Sequence, residues 1–407
     1  MRTDKAIGQL WQALLRIDII TPMKSVRLSL FFAFVLGFVG FVTSFGAHIV
    51  AVNLPEYAKE VGVGVAMIGL LIAAYDFAEI IAKPIFGSLS DKQGMKRTLL
   101  LGIGVFIAAS LLYLVVPPQW LLGIRFLQGV GAAALSAVSL ALVGVYYEQN
   151  RGRAYGIYNA IKGAGYVLSP LTGGLIIAQS HFSYIFVAAA GIGVLAFVLS
   201  LLLPDVKEKV DLDDDDDFSL QSFLSVFRDP KLMRWYAIIV VNMFFVSILF
   251  GFLPVRVYAL QYGAVQTGLI LSLVALSYLL IQPVAGYLAD QTDVTTTIRI
   301  GLILSALSII AAPFVKDLLL IVDAILAGIG VGIVWTNTDT LVSQLAEEGK
   351  LGATMGAAGS FKELGDMIGP ILIGILSQVL GLAWGFVICG ILGLLVIVLI
   401  QSEKPLA

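Results

Sequence analysis

Ten charged side chains fall inside stretches that are otherwise apolar: Asp76, Glu79, Lys83, Arg125, Lys162, Asp323, Asp339, Lys362, Glu363 and Asp366. Asp76, Glu79 and Lys83 are spaced i, i+3 and i+7, so a helix presents all three on one face. Lys362, Glu363 and Asp366 form a second short cluster. Acids and lysines so placed can exchange ion pairs and take up or release protons. Burial raises a carboxylate's proton affinity and a neighbouring lysine lowers it, so a change in packing moves protons. No arrangement of nucleophile, base and orienting group can be read, so catalysis has little support. The lone Cys389 excludes an internal disulfide and a cysteine metal cluster, and no metal site is expected.

The elements that hold these charges are membrane-length. The chain has 407 residues, 59% hydrophobic and 13% charged, about half the charge of a soluble domain. Apolar runs lie at about 28–50, 66–90, 98–117, 119–144, 155–179 and 182–203, then 236–260, 266–289, 298–315, 318–344, 353–379 and 382–401. The expected fold class is an all-α polytopic membrane protein of twelve transmembrane helices. Its expected parts are an N-terminal segment 1–27, a six-helix bundle 28–204, an acidic linker 205–235, a second bundle 236–401 and a tail 402–407. Residues 6–20 read equally as a short interfacial helix or as a disordered tail. No cleavable signal peptide is apparent. The two ends and the loops on their side hold 18 of the 25 Lys and Arg residues. The positive-inside rule therefore puts both termini in the cytoplasm of a cell-membrane protein. The run Asp211 to Asp217 reads as part of a solvated tether rather than a cation site. A net charge of −2 excludes an ordinary nucleic-acid binder.

The two halves repeat. Leu54-Pro55 recurs as Leu253-Pro254, Pro84 as Pro283, Gly87-x-Leu89-x-Asp91 as Gly286-x-Leu288-x-Asp290, and Gly129-x-Gly131 as Gly328-x-Gly330, at an offset of 199. Lys162, Gly165, Pro170 and Gly174 recur as Lys362, Gly365, Pro370 and Gly374 at an offset of 200. Two parallel six-helix units with a site between them follow from this symmetry.

Three motifs carry a family resemblance. Gly87 to Arg97 fits G-x-L-x-D-[RK]-x-G-x-[RK]-[RK], and the chain resembles the major facilitator superfamily there at every defined position. Arg125-Phe-Leu-Gln128-Gly129-Val-Gly131-Ala-Ala resembles that superfamily's fourth-helix signature. Gly165, Ser169, Pro170, Gly173 and Gly174 resemble its fifth-helix antiporter signature, with Ser169 in place of one glycine. The resemblance implies a major facilitator fold and a twelve-helix drug:proton antiporter. It implies a conformational latch at Gly87, Asp91, Gly94, Lys96 and Arg97, with Asp91 stabilising the outward-facing state. Glycine at 87 and 94 is expected to permit the tight reversal and the close helix approach. The second copy, lacking the bases, is expected to latch more weakly. Arg125 is implied in proton coupling or in holding a cavity carboxylate, against the plainer reading of bonds to backbone carbonyls.

At about 1.5 Å per residue, Asp76, Glu79 and Lys83 lie about 15, 20 and 26 Å from the outer face. In the superfamily the second and eleventh helices pack across the two halves, so a charge seam is expected there. Lys83 would meet Glu363, and Lys362 would meet Glu79 or Asp76. Asp76, Glu79, Arg125, Glu363 and Asp366 are the proton-coupling candidates, with Lys83, Lys162 and Lys362 as charge-seam partners. Tyr75, Tyr158, Trp335 and Asp339 are candidate substrate-cavity residues. His48 reads as a hydrogen-bonded packing residue before a pH sensor. No Walker-type nucleotide motif is present, so a proton gradient and no cofactor would drive the cycle. The expectation is a monomer that exports a small amphipathic molecule in exchange for protons. A lipid flippase, a metabolite importer and a non-transporting scaffold or receptor are the other readings. Acids would suit a cationic substrate, and Lys162 and Lys362 an anionic one.

Overall fold

In a computed structural model, residues 20–62, 64–147, 151–205, 229–291, 293–346 and 351–397 are described. They are all-α, with no strand among them. The order is α1 (Ile20–Val61), α2 (Val65–Gln93), α3 (Met95–Leu112), α4 (Leu121–Tyr146, entered through a 3-10 turn), α5 (Arg151–Gln179) and α6 (Tyr184–Leu201). Then follow α7 (Pro230–Ala259, broken at Phe252), α8 (Ala264–Gln291), α9 (Val294–Ala311), α10 (Asp317–Leu345), α11 (Leu351–Leu380) and α12 (Leu382–Val396). The first eleven are each long and apolar enough to cross a membrane, and α12 is a shorter apolar helix. Backbone groups in hydrocarbon must be bonded within their own segment, which is why helices alone fill this apolar chain. Residues 6–19 of the expected interfacial helix, residues 206–228 of the acidic linker and the 402–407 tail lie outside the described residues.

Each half packs by the same plan. The pairs α1–α5, α2–α4, α3–α4 and α3–α6 in the first are matched by α7–α11, α8–α10, α9–α10 and α9–α12 in the second. The halves meet along two seams, α2–α11 and α5–α8. All four seam helices carry a proline inside: Pro84, Pro170, Pro283 and Pro370. A proline leaves the carbonyl one turn back without its helical donor and bends the helix.

The seams are closed at one end and parted at the other. Gly69 of α2 lies against the Pro370 carbonyl of α11, and Gly268 of α8 against the Pro170 carbonyl of α5, with no room for a Cβ at either. Ser272 of α8 donates to the Val167 carbonyl at 2.6 Å. Farther along, Lys83 of α2 pairs with Glu363 of α11, and Gly163 of α5 packs on Leu279 of α8. Beyond these points the glycines of the four seam helices no longer touch the opposite half. Gly87, Gly156, Gly286 and Gly359 lie one or two turns on, along the same faces, and a Cβ there would meet no atom of the opposite half within 4 Å. The interior is therefore open at the end bearing the α2–α3 turn.

That turn is made by Gly94, whose φ of 95° favours glycine, and whose N–H donates to the Ser90 carbonyl at 3.0 Å. Gly87 departs from expectation: open space surrounds it, because the helices have separated there. Lys96 donates to the carbonyls of Leu201 (3.0 Å) and Leu203 (2.6 Å), fixing α3 to the end of α6. Arg97 is exposed, and the side chain of Asp91 lies outside the described residues.

Candidate functional site: charges at the fork between the halves

The fork of the α2–α11 seam is built from one helix face. Glu79 and Lys83 are one turn apart and pair at 2.6 Å, and the same ammonium reaches Glu363. Glu79 is 7% exposed, while the Lys83 side chain keeps 28%, so the cluster sits where packed helix gives way to the open interior. One lysine thus neutralises two carboxylates from opposite halves. Breaking the seam there would leave at least one acid without its counter-charge, an arrangement costly enough to be relieved by a proton.

Above the fork, towards the closed end, lies a cavity of ≈ 50 Å³. Asp76 and Asp366 enter it from α2 and α11, with Arg125, His48 and Tyr166 nearby. Ligand pockets run from about 300 Å³ upward. This chamber is large enough for water and too small for a drug-sized molecule. Neither Asp76 nor Asp366 has a hydrogen-bond or ion-pair partner among the described residues. His48 Nδ1 bonds the Ser44 carbonyl at 2.9 Å, and its ring packs between Tyr166 and Phe250 (centroids at 4.4 and 4.9 Å). Met243, Ser247 and Phe250 of α7 complete the wall. Sequence reasoning missed them, although the offset of 199 maps Ser247 onto His48.

Arg125 is 2% exposed. It donates to Gln128 Oε1 at 2.8 Å and to the Ala47 carbonyl at 3.1 Å, and its guanidinium stands 4.3 Å from the Tyr75 ring centroid. Gln128 is held in turn by Ser110 at 3.1 Å. The arginine's direct partners are an amide, a carbonyl, the Tyr113 hydroxyl and a ring, so its positive field reaches the cavity without a direct bond to a carboxylate.

Lys362 departs from the expected seam. Its ammonium pairs with Asp339 of α10 at 2.6 Å and lies 4.8 Å from the Trp335 ring centroid, all within the second half. Consecutive helical residues point about 100° apart. With Glu363 turned to α2, Lys362 must face away from it. Two of the four cavity candidates also differ. Tyr75, 3% exposed, lies under Arg125, and Tyr158, 2% exposed, fills the gap over Gly40 and bonds Ser139 at 3.0 Å. Both are packed inside the first half. Trp335 and Asp339 are half-buried. Lys162 is also half-buried, one turn from Tyr166 on the same α5 face.

The α5 motif is a packing element. Gly165 lies against Ser44 and Phe45 of α1, Gly173 against Asn53, and Gly174 against the Ala264 carbonyl of α8. Ser169 is fully buried, with its hydroxyl unpartnered.

The family profile described as Major Facilitator Superfamily matches residues 36–275 and 237–405. Tetracycline resistance protein, class H, of Pasteurella multocida is 25% identical over 319 residues, 75% of this chain and 78% of that protein. Quinolone resistance protein NorA of Staphylococcus aureus is 30% identical over 172 residues, 42% of this chain and 44% of that protein. The fold is shared with solved structures at 14% identity. A bacterial homolog of the human lysosomal transporter Spinster, in an inward-facing and unoccupied conformation, superposes with a TM-score of 0.78 over 93% of this chain and 99% of that one. A D-xylose–proton symporter gives 0.77 over 93% and 98%. The chain belongs to the Major Facilitator Superfamily, a class of multi-pass membrane transporters of small molecules and not of enzymes.

Proposed function

We propose that this member of the Major Facilitator Superfamily exports a small amphipathic molecule across the cell membrane in exchange for protons, by alternating access. The observation that carries the reading is the fork. A lysine shared by carboxylates of both halves, Glu79 and Glu363, stands where the seam parts, beside a chamber that admits water and holds Asp76 and Asp366. In this reading the open end is the cytoplasmic one, with both termini on that side, and substrate enters there. Protons reach Asp76 and Asp366 from outside in the opposite state. Protonation of Glu79 or Glu363 frees Lys83 and lets the halves re-pair. The named relatives, which confer resistance to tetracycline and quinolone, support drug-like cargo and outward direction. A ligand moves such an equilibrium only through its differential affinity for the two states. A proton on one seam acid supplies that difference.

The test is reconstitution in liposomes with an imposed pH gradient, screened against cationic, neutral and anionic compounds. Asp76→Asn and Glu79→Gln should each abolish gradient-driven flux while leaving substrate binding intact. Undiminished gradient-driven flux in both variants would remove the proposal.

A further inference from the structure

We infer that the open interior takes a substrate bearing an anionic group, a carboxylate or its equivalent, and that Lys162 is the residue that binds it. This rests on the transport reading above and goes beyond it, since that reading leaves the charge of the cargo open.

The two lysines related by the repeat differ in one respect. Lys362 has Asp339 at 2.6 Å and the Trp335 ring beneath it. Lys162 has no hydrogen-bond or ion-pair partner among the described residues. The offset of 199 that relates Gly129 and Gly131 to Gly328 and Gly330 puts Leu140 where Asp339 stands, so the first half supplies no matching acid. Glu79 and Glu363 act on Lys162 only at a distance, and both are already held by Lys83. Asp366 acts on it too, from outside bonding reach. Lys162 is tolerable here because it is half-buried beside Gly163, where the α5–α8 seam begins to part and water can reach it. When the halves re-pair at that end, the water leaves. An uncompensated cation would then oppose closure, and a bound anion would remove the opposition. Tyr166, one turn along α5, and Trp335, both half-buried and both packed on Tyr278, offer aromatic surface for the rest of an amphipathic molecule.

The experiment uses two dyes of one scaffold: rhodamine B, which carries a free carboxylate, and rhodamine 6G, whose carboxyl is an ethyl ester. Equilibrium binding to the purified full chain in detergent is read by fluorescence polarisation. Wild type should bind rhodamine B more tightly than rhodamine 6G. Lys162→Met should weaken rhodamine B about tenfold, the loss of one charge-assisted bond. It should leave rhodamine 6G within about twofold, which also reports a folded protein. Lys162→Arg should restore most of the preference. Equal binding of the two dyes by wild type, an equal loss of both in Lys162→Met, or binding of neither overturns the inference. Gradient-driven flux of the ester alone would uphold export while sinking the anion site, so the two readings fail separately.

Discussion

The two seams that join the halves are copies, and they differ in chemistry. Both close on the same backbone joint, a glycine pressed on the carbonyl of the motif proline: Gly69 on Pro370 and Gly268 on Pro170. Both part near the same level. At the α2–α11 fork stand Glu79, Lys83 and Glu363, with Asp366 one turn above. Their repeat equivalents at the α5–α8 fork are Tyr278, Gln282, Gly163 and Tyr166. The pairing survives the change of residue: Glu79 bonds Lys83, and Tyr278 bonds Gln282, one turn on in each case. Tyr166 and Tyr278 pack with centroids 6.1 Å apart. At these positions one fork is thus an uncharged copy of the other, although Lys162 stands beside Gly163 on α5. The repeat supplies the joint twice, while among the described residues carboxylates stand at only one of the two forks.

This contrast can be attacked first at what the seams share. Gly69→Leu and Gly268→Leu should each overfill the joint by about 1–3 kcal/mol, moving the equilibrium about 5- to 150-fold away from the state described here. Flux should be nearly lost in both, and accessibility of a probe at the closed end should rise in both. An effect confined to one seam would break the equivalence. The second test is at what they do not share. Lys83→Met leaves Glu79 and Glu363 facing each other across the fork and should abolish gradient-driven flux. Its counterpart Gln282→Met removes no more than a neutral hydrogen bond, about 1 kcal/mol, and should retain most of the flux.

A smaller effect concerns the pair that lies inside one half. Lys362→Met and Asp339→Asn should each destabilise the protein in detergent. The double variant should recover part of the loss, with a coupling of about 0.5–3 kcal/mol by thermal unfolding. Complete additivity would mean that the two side chains do not interact. The smallest expected effect lies outside the seams. Asp293 caps α9, accepting from the backbone N–H of Thr295 and Thr296 at 3.3 and 3.1 Å. Partial burial pushes its carboxyl up, but bonds from the Thr295 and Thr296 hydroxyls and N–H groups outweigh that and hold it below the usual carboxylate range. Its stabilisation is therefore present above the ordinary carboxylate pKa and lost as pH falls through the lowered folded value. Asp293→Ala should cost about 1 kcal/mol at neutral pH, and the gap from wild type should narrow in acid. A gap independent of pH would contradict this.

The architecture was legible because twelve apolar runs and an ordered repeat leave few alternatives. The Lys83–Glu363 pair was legible for a related reason, since helical spacing fixes the α2 face and the family packing supplies α11. The partner of Lys362 was not. Assigning both Lys362 and Glu363 to α2 ignored the turn of about 100° between neighbours, and Asp339 lies on another helix with no local spacing to announce it. Tyr75 and Tyr158 look like cavity aromatics in sequence, because an aromatic beside a functional motif carries no mark of which side it turns to. The parting of the seams at Gly87 was equally invisible, since a glycine that permits contact in one state is bare in another.

The central claim is that proton coupling belongs to the seam that carries carboxylates and not to its copy. It is tested most directly by substrate-triggered proton movement in lightly buffered solution, compared between Glu79→Gln and Tyr278→Phe, changes at equivalent positions of the two seams. The account predicts that Glu79→Gln binds substrate without moving protons and that Tyr278→Phe moves them as wild type does. Equal proton movement in the two variants would contradict it.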